Sequence, residues 1–309
     1  MGGRRTQATK QVFLIHAHKD LDQLNALVEQ LLDDDFLIYV NLDRKCNLEP
    51  ARVHAAARLI AKRIDVHWGA FSQVQATLNS LAQIVDEVSD FDKVHFISAQ
   101  DFPLLSNACL KEGLAELRDR ELIDVRPLGT GVDEWPINFR YQYFFCRKNR
   151  HAFVRRAYSA LKHLMRASGL QRRLPNGLRP YGGSSWWSLS KGCIVDVLGS
   201  LAHEPRLIRF FSSTLCPDEM VFQTLVMNSR YAHRVLGRNY RHVQWPETGA
   251  HNPDILREAD FARIAASGAY FCRKIDSRVS AALVPRLVAL RAVKTTSAQT
   301  RTGTDACIG

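Results

Sequence analysis

Glu219 stands in the turn Cys216-Pro217-Asp218-Glu219, just ahead of an apolar run. A carboxylate held there can take the proton from an attacking hydroxyl. The same acid in a first helical turn also complements the helix's positive end, so a purely structural role stands beside the catalytic one. Arg273 and Lys274 follow the apolar stretch YFC and can set fixed positive charge against a departing diphosphate. A solvated strand end is the plainer account of that pair. A proton acceptor and a fixed cation are what sugar transfer from a nucleotide-sugar asks of a protein. Trp186 and Trp187, adjacent on a strand, point to opposite faces. One can line a sugar cleft while the other packs inside; the alternative is that both are structural. Trp68, with Gly69, Phe71 and Ser72 at a helix entry, is either a cleft wall or a staple for that helix.

Other chemistries find less support. There is no GxGxxG and no GxxxxGK[ST], so neither a dinucleotide fingerprint nor a P-loop is present. His16 and His18 form an HxH pair, but no third ligand stands at a suggestive spacing, and no metal is expected. Asp33-Asp34-Asp35 lies at a helix end and reads as a solvated turn. A glycoside hydrolase needs two carboxylates roughly 5–9 Å apart about the scissile bond, and only Glu219 stands out.

These residues need a frame. QVFLIH (11–16) reads as a buried strand, followed by a helical face of Leu21, Leu24, Val28, Leu31 and Leu32. FLIYVNL (36–42) is a second strand, Ile64 to Val66 a short third, and KVHFIS (93–98) a fourth. Val74, Leu78, Leu81 and Val85 mark the helix before the last. Such alternation predicts βα units and a mainly parallel sheet, with ligands beyond the carboxyl ends of its strands. The loops after His16, Leu42, Val66 and Ser98 are therefore the expected donor contacts. Further on, a basic helix is expected near 151–168, a strand at 186–190 with a helix to about Leu201, and a helix opening at Cys216. Helices over 253–266 and 277–292 are expected to flank the short YFCRK strand.

The chain has 309 residues, 46% hydrophobic, a size one α/β domain can fill. We expect a disordered basic N-terminus (1–10), one catalytic domain (11–293) and a disordered tail (294–309). Within the domain, 11–125 is expected to bind the nucleotide-sugar and 126–293 to supply acceptor and catalytic residues. No apolar run approaches the roughly 18–20 residues of a membrane span, and Met1 to Lys10 lacks a signal's apolar stretch. Seven cysteines without a paired metal spacing suit a reducing compartment, so a cytoplasmic location is expected. The net charge of +11 points to anionic partners. From Cys146 to Pro180 there are ten Lys or Arg and no acid. A solvated basic face accounts for them; an anionic membrane surface or charged acceptor is the functional alternative. A non-enzymatic binder of nucleic acid or anionic glycan rests on charge alone and leaves the Pro-Asp-Glu turn unexplained. No nucleic-acid partner is expected.

Eight segments, in order, resemble the core-2/I-branching β-1,6-N-acetylglucosaminyltransferase family (glycosyltransferase family 14). They are IHAHKD (15–20), YVNLDRK (39–45), VHWGAFSQVQATLN (66–79), HFISAQDFPL (95–104), GGSSWWSLS (182–190), CPDEMVFQTL (216–225), YRHVQW (240–245) and YFCRKID (270–276). The resemblance implies a GT-A-like, Rossmann-like fold and an inverting transfer from a UDP-sugar, N-acetylglucosamine or else xylose, to a glycan or glycoconjugate hydroxyl. It implies no cofactor and no divalent metal. By the same resemblance Glu219 matches the catalytic base, with Cys216 in place of the family's Ser. Lys274 matches the lysine that binds the donor diphosphate in place of a metal. Asp43 and His18 match nucleotide-side positions, and Trp68, Ser72 and Asp101 match motifs near the donor cleft. The family's further diphosphate cation has no secure counterpart; His251, with Arg257 and Arg241 nearby, and the adjacent Arg273 are the candidates. Its acceptor-reading set is matched only loosely by Asp133, Glu134 and Arg140, which implies a different acceptor.

Overall fold

The structure, a computed structural model, describes residues 10–129, 131, 134–145, 152–246 and 252–292. The N-terminus before Lys10 and the tail 294–309, both expected to be disordered, lie outside these residues, as do His251 and Asp133. In chain order β1 (Gln11–Ala17) is followed by α1 (Leu21–Gln30), β2 (Phe36–Leu42), β3 (Arg58–Leu59), α2 (Ser72–Glu87), β4 (Lys93–Ser98), β5 (Asp101–Pro103) and α3 (Asn107–Glu116). Then come β6 (Leu122–Ile123), β7 (Arg126–Pro127), α4 (Phe139–Gln142), α5 (Ala152–Ala167), β8 (Tyr181–Gly182), β9 (Trp187–Ser190), α6 (Lys191–His203) and α7 (Pro205–Ser212). The last elements are α8 (Val221–Met227), β10 (Arg241–Val243), α9 (Phe261–Ala266), β11 (Phe271–Arg273) and a helix over 283–292.

The central sheet runs β3-β2-β1-β4-β9-β6. Its first four strands are parallel, whereas β9 is antiparallel to both neighbours. This is the mainly parallel, helix-flanked α/β sheet that the sequence predicts, consistent with a GT-A-like fold. β1 is apolar throughout because both of its faces are covered. Val12 and Leu14 join a core with Val74, Leu81, Ile84 and Trp187. Phe13 and Ile15 join another with Leu24, Val28, Ile38 and Val40. Insertion of β9 between β4 and β6 means that both halves of the chain build the one sheet.

A second sheet, β10-β11-β5, lies past the end of β4 and sets Asp101 opposite Arg273 in register. Three expectations change. No strand forms at 64–66; the third strand is β3, and the 64–66 backbone is bonded instead to Arg44 N and to the Asp43 carboxylate. The helix expected over 253–266 is only α9 preceded by a 3-10 turn, because the Asp260 carboxylate accepts from Arg257 N and starts the turn late. The last helix begins at 283, after the turns of 277–282.

Candidate active site

Glu219 closes a 3-10 turn, Pro217–Glu219, that leads into α8. Pro217 suits the first position of that turn. Cys216 before it is left-handed (φ 50°), an uncommon state for a residue with a side chain. Contacts from elsewhere hold it there. Cys216 N donates to Gly69 O at 3.0 Å, and Gly69 is itself left-handed (φ 68°), where glycine meets no Cβ penalty. On the other side Gly183 N donates to the Glu219 carbonyl at 2.9 Å. A Cβ on Gly183 would fall 2.0 Å from the Asp124 carbonyl oxygen, so the approach depends on glycine.

The Glu219 side chain is about 29% exposed and is ion-paired through Oε2 with Arg140, whose guanidinium also lies over the Trp135 ring. Oε1 has no hydrogen bond among the described residues. Burial and the neighbouring Asp218 push the Glu219 carboxyl above the usual range, against the opposing pull of Arg140. A carboxylate that holds its proton more tightly than usual is a stronger base when ionised. Asp218 is differently placed. Its Oδ2 accepts from Ser185 Oγ at 2.8 Å and Gln73 Nε2 at 3.4 Å, and burial raises its carboxyl too.

A cationic edge is built at the carboxyl ends of β1, β2 and β11. Burial lowers the Lys274 ammonium from its usual value, helped by repulsion from Arg273 and Lys19. Among the described residues its Nζ has no hydrogen-bond or ion-pair partner. Lys19 is 3.4 Å from Asp276, and Lys45 is 2.9 Å from Asp43. His18 joins this group: partial desolvation lowers its imidazole, with Lys19, Lys45 and Lys274 adding to the effect and Asp43 opposing it. Asp43 is buried and accepts from Lys45 N at 3.2 Å and Val66 N at 3.1 Å as well, so it shapes the loop and tempers the positive charge.

Contacts connect this edge to the Glu219 turn. Asp218, beside Glu219, is bonded to Ser185. Trp186 follows Ser185, and its ring lies 4.3 Å from the guanidinium carbon of Arg273, the neighbour of Lys274. A chain of contacts thus runs from the Glu219 turn, through Ser185 and Trp186, to Arg273 and the cationic rim that Lys274 joins.

Several expected site residues turn inward. Arg273 is about 7% exposed and its Nε lies 3.1 Å from Asp101 Oδ1, off the N–H axis, so the two form an ion pair and no directed bond. Asp101 is fully buried and accepts from Ser98 N at 2.7 Å. Burial drives its carboxyl upward despite Arg273 and that amide. Neither faces the rim as a free group. Arg241 donates to Ser188 Oγ, to Asn239 O and to the carbonyls of Phe96 (3.3 Å) and Trp187 (3.4 Å). Burial lowers it to about 10. Its terminal nitrogens are bound to protein oxygens, whereas its buried Nε has no partner among the described residues, so Arg241, like Arg273, is largely committed to the interior; of the other candidates Arg257 is exposed and His251 is outside the described residues. Trp187 is fully buried against Phe222 at 4.8 Å and is core, where truncation costs about 3–5 kcal/mol. Trp186 is half-buried under Arg273 and Phe96.

The rest of the donor-side set lies around the 66–73 loop. Trp68 is about 67% exposed, so it is no helix staple. Ser72 Oγ accepts from His67 N at 2.8 Å and fixes the loop. His16 packs edge-on to Phe96; burial lowers it to about 3, and its Nε2 has no partner among the described residues. Sequence reasoning gave no individual role to Lys19, Lys45, Ser185 or Gln73, although all four lie in the family-like segments IHAHKD, YVNLDRK, GGSSWWSLS and VHWGAFSQVQATLN. It also passed over Asp20-Leu21-Asp22 and Asp90-Phe91-Asp92. Asp20 caps α1 and accepts from Ser277 N, and Asp92 lies beside Arg118 and Gln11. Asp33 and Asp35 pair with Lys111, as a surface turn would. Among the described residues no group of three or more His, Cys, Asp or Glu is placed to hold a metal. Glu134 is paired with Arg179. A cavity of about 540 Å³ beside Asp196 and Glu204 is lined by none of the expected site residues.

Residues 11–265 match the family model described as Core-2/I-Branching enzyme. The chain is 25% identical over 300 residues to Xylosyltransferase 1 of Homo sapiens, which covers 89% of this chain and 29% of that protein. It is 23% identical over 299 residues to Xylosyltransferase of Ciona intestinalis (89% and 33%) and 23% identical over 283 residues to Xylosyltransferase 2 of Rattus norvegicus (84% and 31%). The chain thus spans about a third of the length of the curated relatives it matches. With the family model extending from β1 into α9, across both the Glu219 turn and the parallel strands, the chain belongs to the Core-2/I-Branching enzyme family of glycosyltransferases.

Proposed function

We propose that this chain transfers a sugar from a UDP-sugar to a hydroxyl of a glycan or glycoconjugate, by inverting single displacement and without a divalent metal. The observation that carries this reading is a Lys274 ammonium that lacks a side-chain partner among the described residues, neighbours His18 and Lys19, and is joined to the Glu219 turn through Arg273, Trp186 and Ser185. Glu219 removes the acceptor hydroxyl's proton through its open oxygen while the acceptor oxygen bonds to the anomeric carbon. The bond from that carbon to the diphosphate oxygen breaks on the opposite face, which inverts the centre. Its electron pair goes to the diphosphate, where Lys274, with Lys19 and Lys45 beside it, meets the growing negative charge. In a partly desolvated cleft such fixed charge contributes several kcal/mol.

Arg140 has the role of holding and orienting Glu219, in place of the acceptor reading expected of it. Trp68, exposed beside the donor loop, offers a face for the nucleobase or sugar. UDP-N-acetylglucosamine and UDP-xylose are the donors to test; the relatives' names favour the second. The free cysteines among the described residues fit a cytoplasmic address, and no helix there is long and apolar enough to cross a membrane.

A thermal-shift series with UDP-sugars in EDTA tests the reading. Stabilisation by one of them is expected, since a ligand that binds only the folded state raises its melting point. Stabilisation by none, with or without manganese, would contradict it.

A further inference from the structure

α5 is amphipathic in a way the core does not use. Phe153, Ala157, Ala160, Leu161 and Leu164 recur at spacings of three and four, so they share one face. Arg155, Arg156, Ser159, Lys162, His163 and Arg166 recur likewise on the other, and the helix has no acid. The helix rests on the protein by an edge of its apolar face, through buried Met165 and through Tyr158, whose ring meets Phe144 edge-on at 6.4 Å. The remainder of that face is open: Phe153 is about 82% exposed, Leu164 about 66% and Leu161 about 40%, and Leu170 beyond the helix is about 65% exposed. Exposed Arg156 and His163 border this ridge, and exposed Arg173 follows it.

A solvated basic face explains the cations but not a row of bare large apolar side chains beside them. We propose that α5 is an interfacial helix that lies on an anionic lipid bilayer. Phe153, Leu161, Leu164 and Leu170 enter the headgroup boundary while the flanking cations meet lipid phosphates. At 16 residues the helix presents a strip about 24 Å long. Charge complementarity selects the occupant, since an acid-free helix with an apolar ridge suits a surface that is both negative and oily. The helix is also well placed relative to the site. Arg172, just beyond it, donates to the carbonyl of Ser213 at 2.9 Å and stacks on Phe210 at 4.1 Å, which ties it to the segment that leads into the Glu219 turn. Arg172 is thus an anchor within the fold, unlike its exposed neighbour Arg173.

The test is co-sedimentation of the full chain with vesicles of phosphatidylcholine alone and of phosphatidylcholine mixed with phosphatidylglycerol. Binding is expected to the mixed vesicles at low salt and not to the neutral ones. Phe153→Ser/Leu164→Ser is expected to lose at least tenfold in vesicle affinity, and Arg156→Glu/Arg173→Glu a similar factor, while UDP binding by both stays as in the parent and shows that they are folded. No binding to mixed vesicles, or binding unchanged in the serine variant, would overturn the proposal. So would a parent dimer in light scattering that the serine variant converts to monomer, because a second copy would then cover the ridge. Binding to DNA or heparin lost in both variants while the parent ignores vesicles would assign the helix to a polyanion and likewise overturn it.

Discussion

Arg273 and Asp101 face each other in register across β11 and β5, 3.1 Å apart and both buried, so the first of two consecutive cations is committed to the interior. The second, Lys274, is left at the rim without a side-chain partner among the described residues. Adjacent residues of like charge therefore have separable roles, and substitution should divide them.

Arg273→Ala leaves Asp101 buried without its counter-charge, a change that costs about 3–5 kcal/mol. Its expected signature is a lower midpoint in denaturant unfolding. Lys274→Ala is expected to leave that midpoint near the parent's and to weaken UDP binding and turnover. Equal effects of both on stability would show that Lys274 is structural.

The pH profile of kcat/KM should be narrowed from both sides. Glu219 acts deprotonated, and burial beside Asp218 raises its carboxyl, so activity appears only as pH rises through a point above the ordinary Glu value of about 4.3. Lys274 acts protonated, and burial lowers it, so activity fades as pH rises through a point below the ordinary Lys value of about 10.4. Asp218 and Glu219 titrate as neighbours, so the acid limb belongs to the pair. Arg140→Ala removes the charge that favours ionised Glu219 and moves this limb upward; Lys274→Arg moves only the alkaline limb, also upward. An acid limb that Arg140→Ala leaves in place would detach Glu219 from the proton transfer.

Glu219→Gln should keep the turn and the affinity for UDP while transfer falls about 10²–10⁴-fold, the scale of a lost general base. Full transfer by the glutamine variant would remove Glu219 from its role.

Gly183→Ala tests whether the base is positioned from outside its own turn. The new methyl would crowd the Asp124 carbonyl at 2.0 Å, and the strain is expected to cost about 1–3 kcal/mol. The turnover number should fall more than UDP affinity. An unchanged turnover number would mean that the Gly183–Glu219 bond is dispensable.

Much of this architecture was legible in the residues. β1, β2 and β4 announce themselves by apolar runs covered on both faces, and α2 by its periodic stripe. Long-range pairing was less legible. Nothing local in Phe271-Cys272-Arg273 says that Asp101 will lie opposite, so Arg273 reads as a solvated cation. Trp186 and Trp187 gave the rule of opposite faces but not which one faces in; packing against Phe222 decides that. Short strands such as β3 and β10 carry too few residues to show a period. The loop at 64–66 looks like a strand because its order comes from the Asp43 side chain, which no periodicity reports.

The account turns on whether a lysine side chain does the work of a metal at the diphosphate. Calorimetric titration of UDP in the presence of EDTA, into the parent and into Lys274→Ala, tests this directly. The prediction is metal-free binding by the parent, weakened at least about tenfold, or roughly 1.4 kcal/mol, in the variant. Binding by the parent that begins only when manganese is restored, or equal affinities for the two proteins in EDTA, would contradict it.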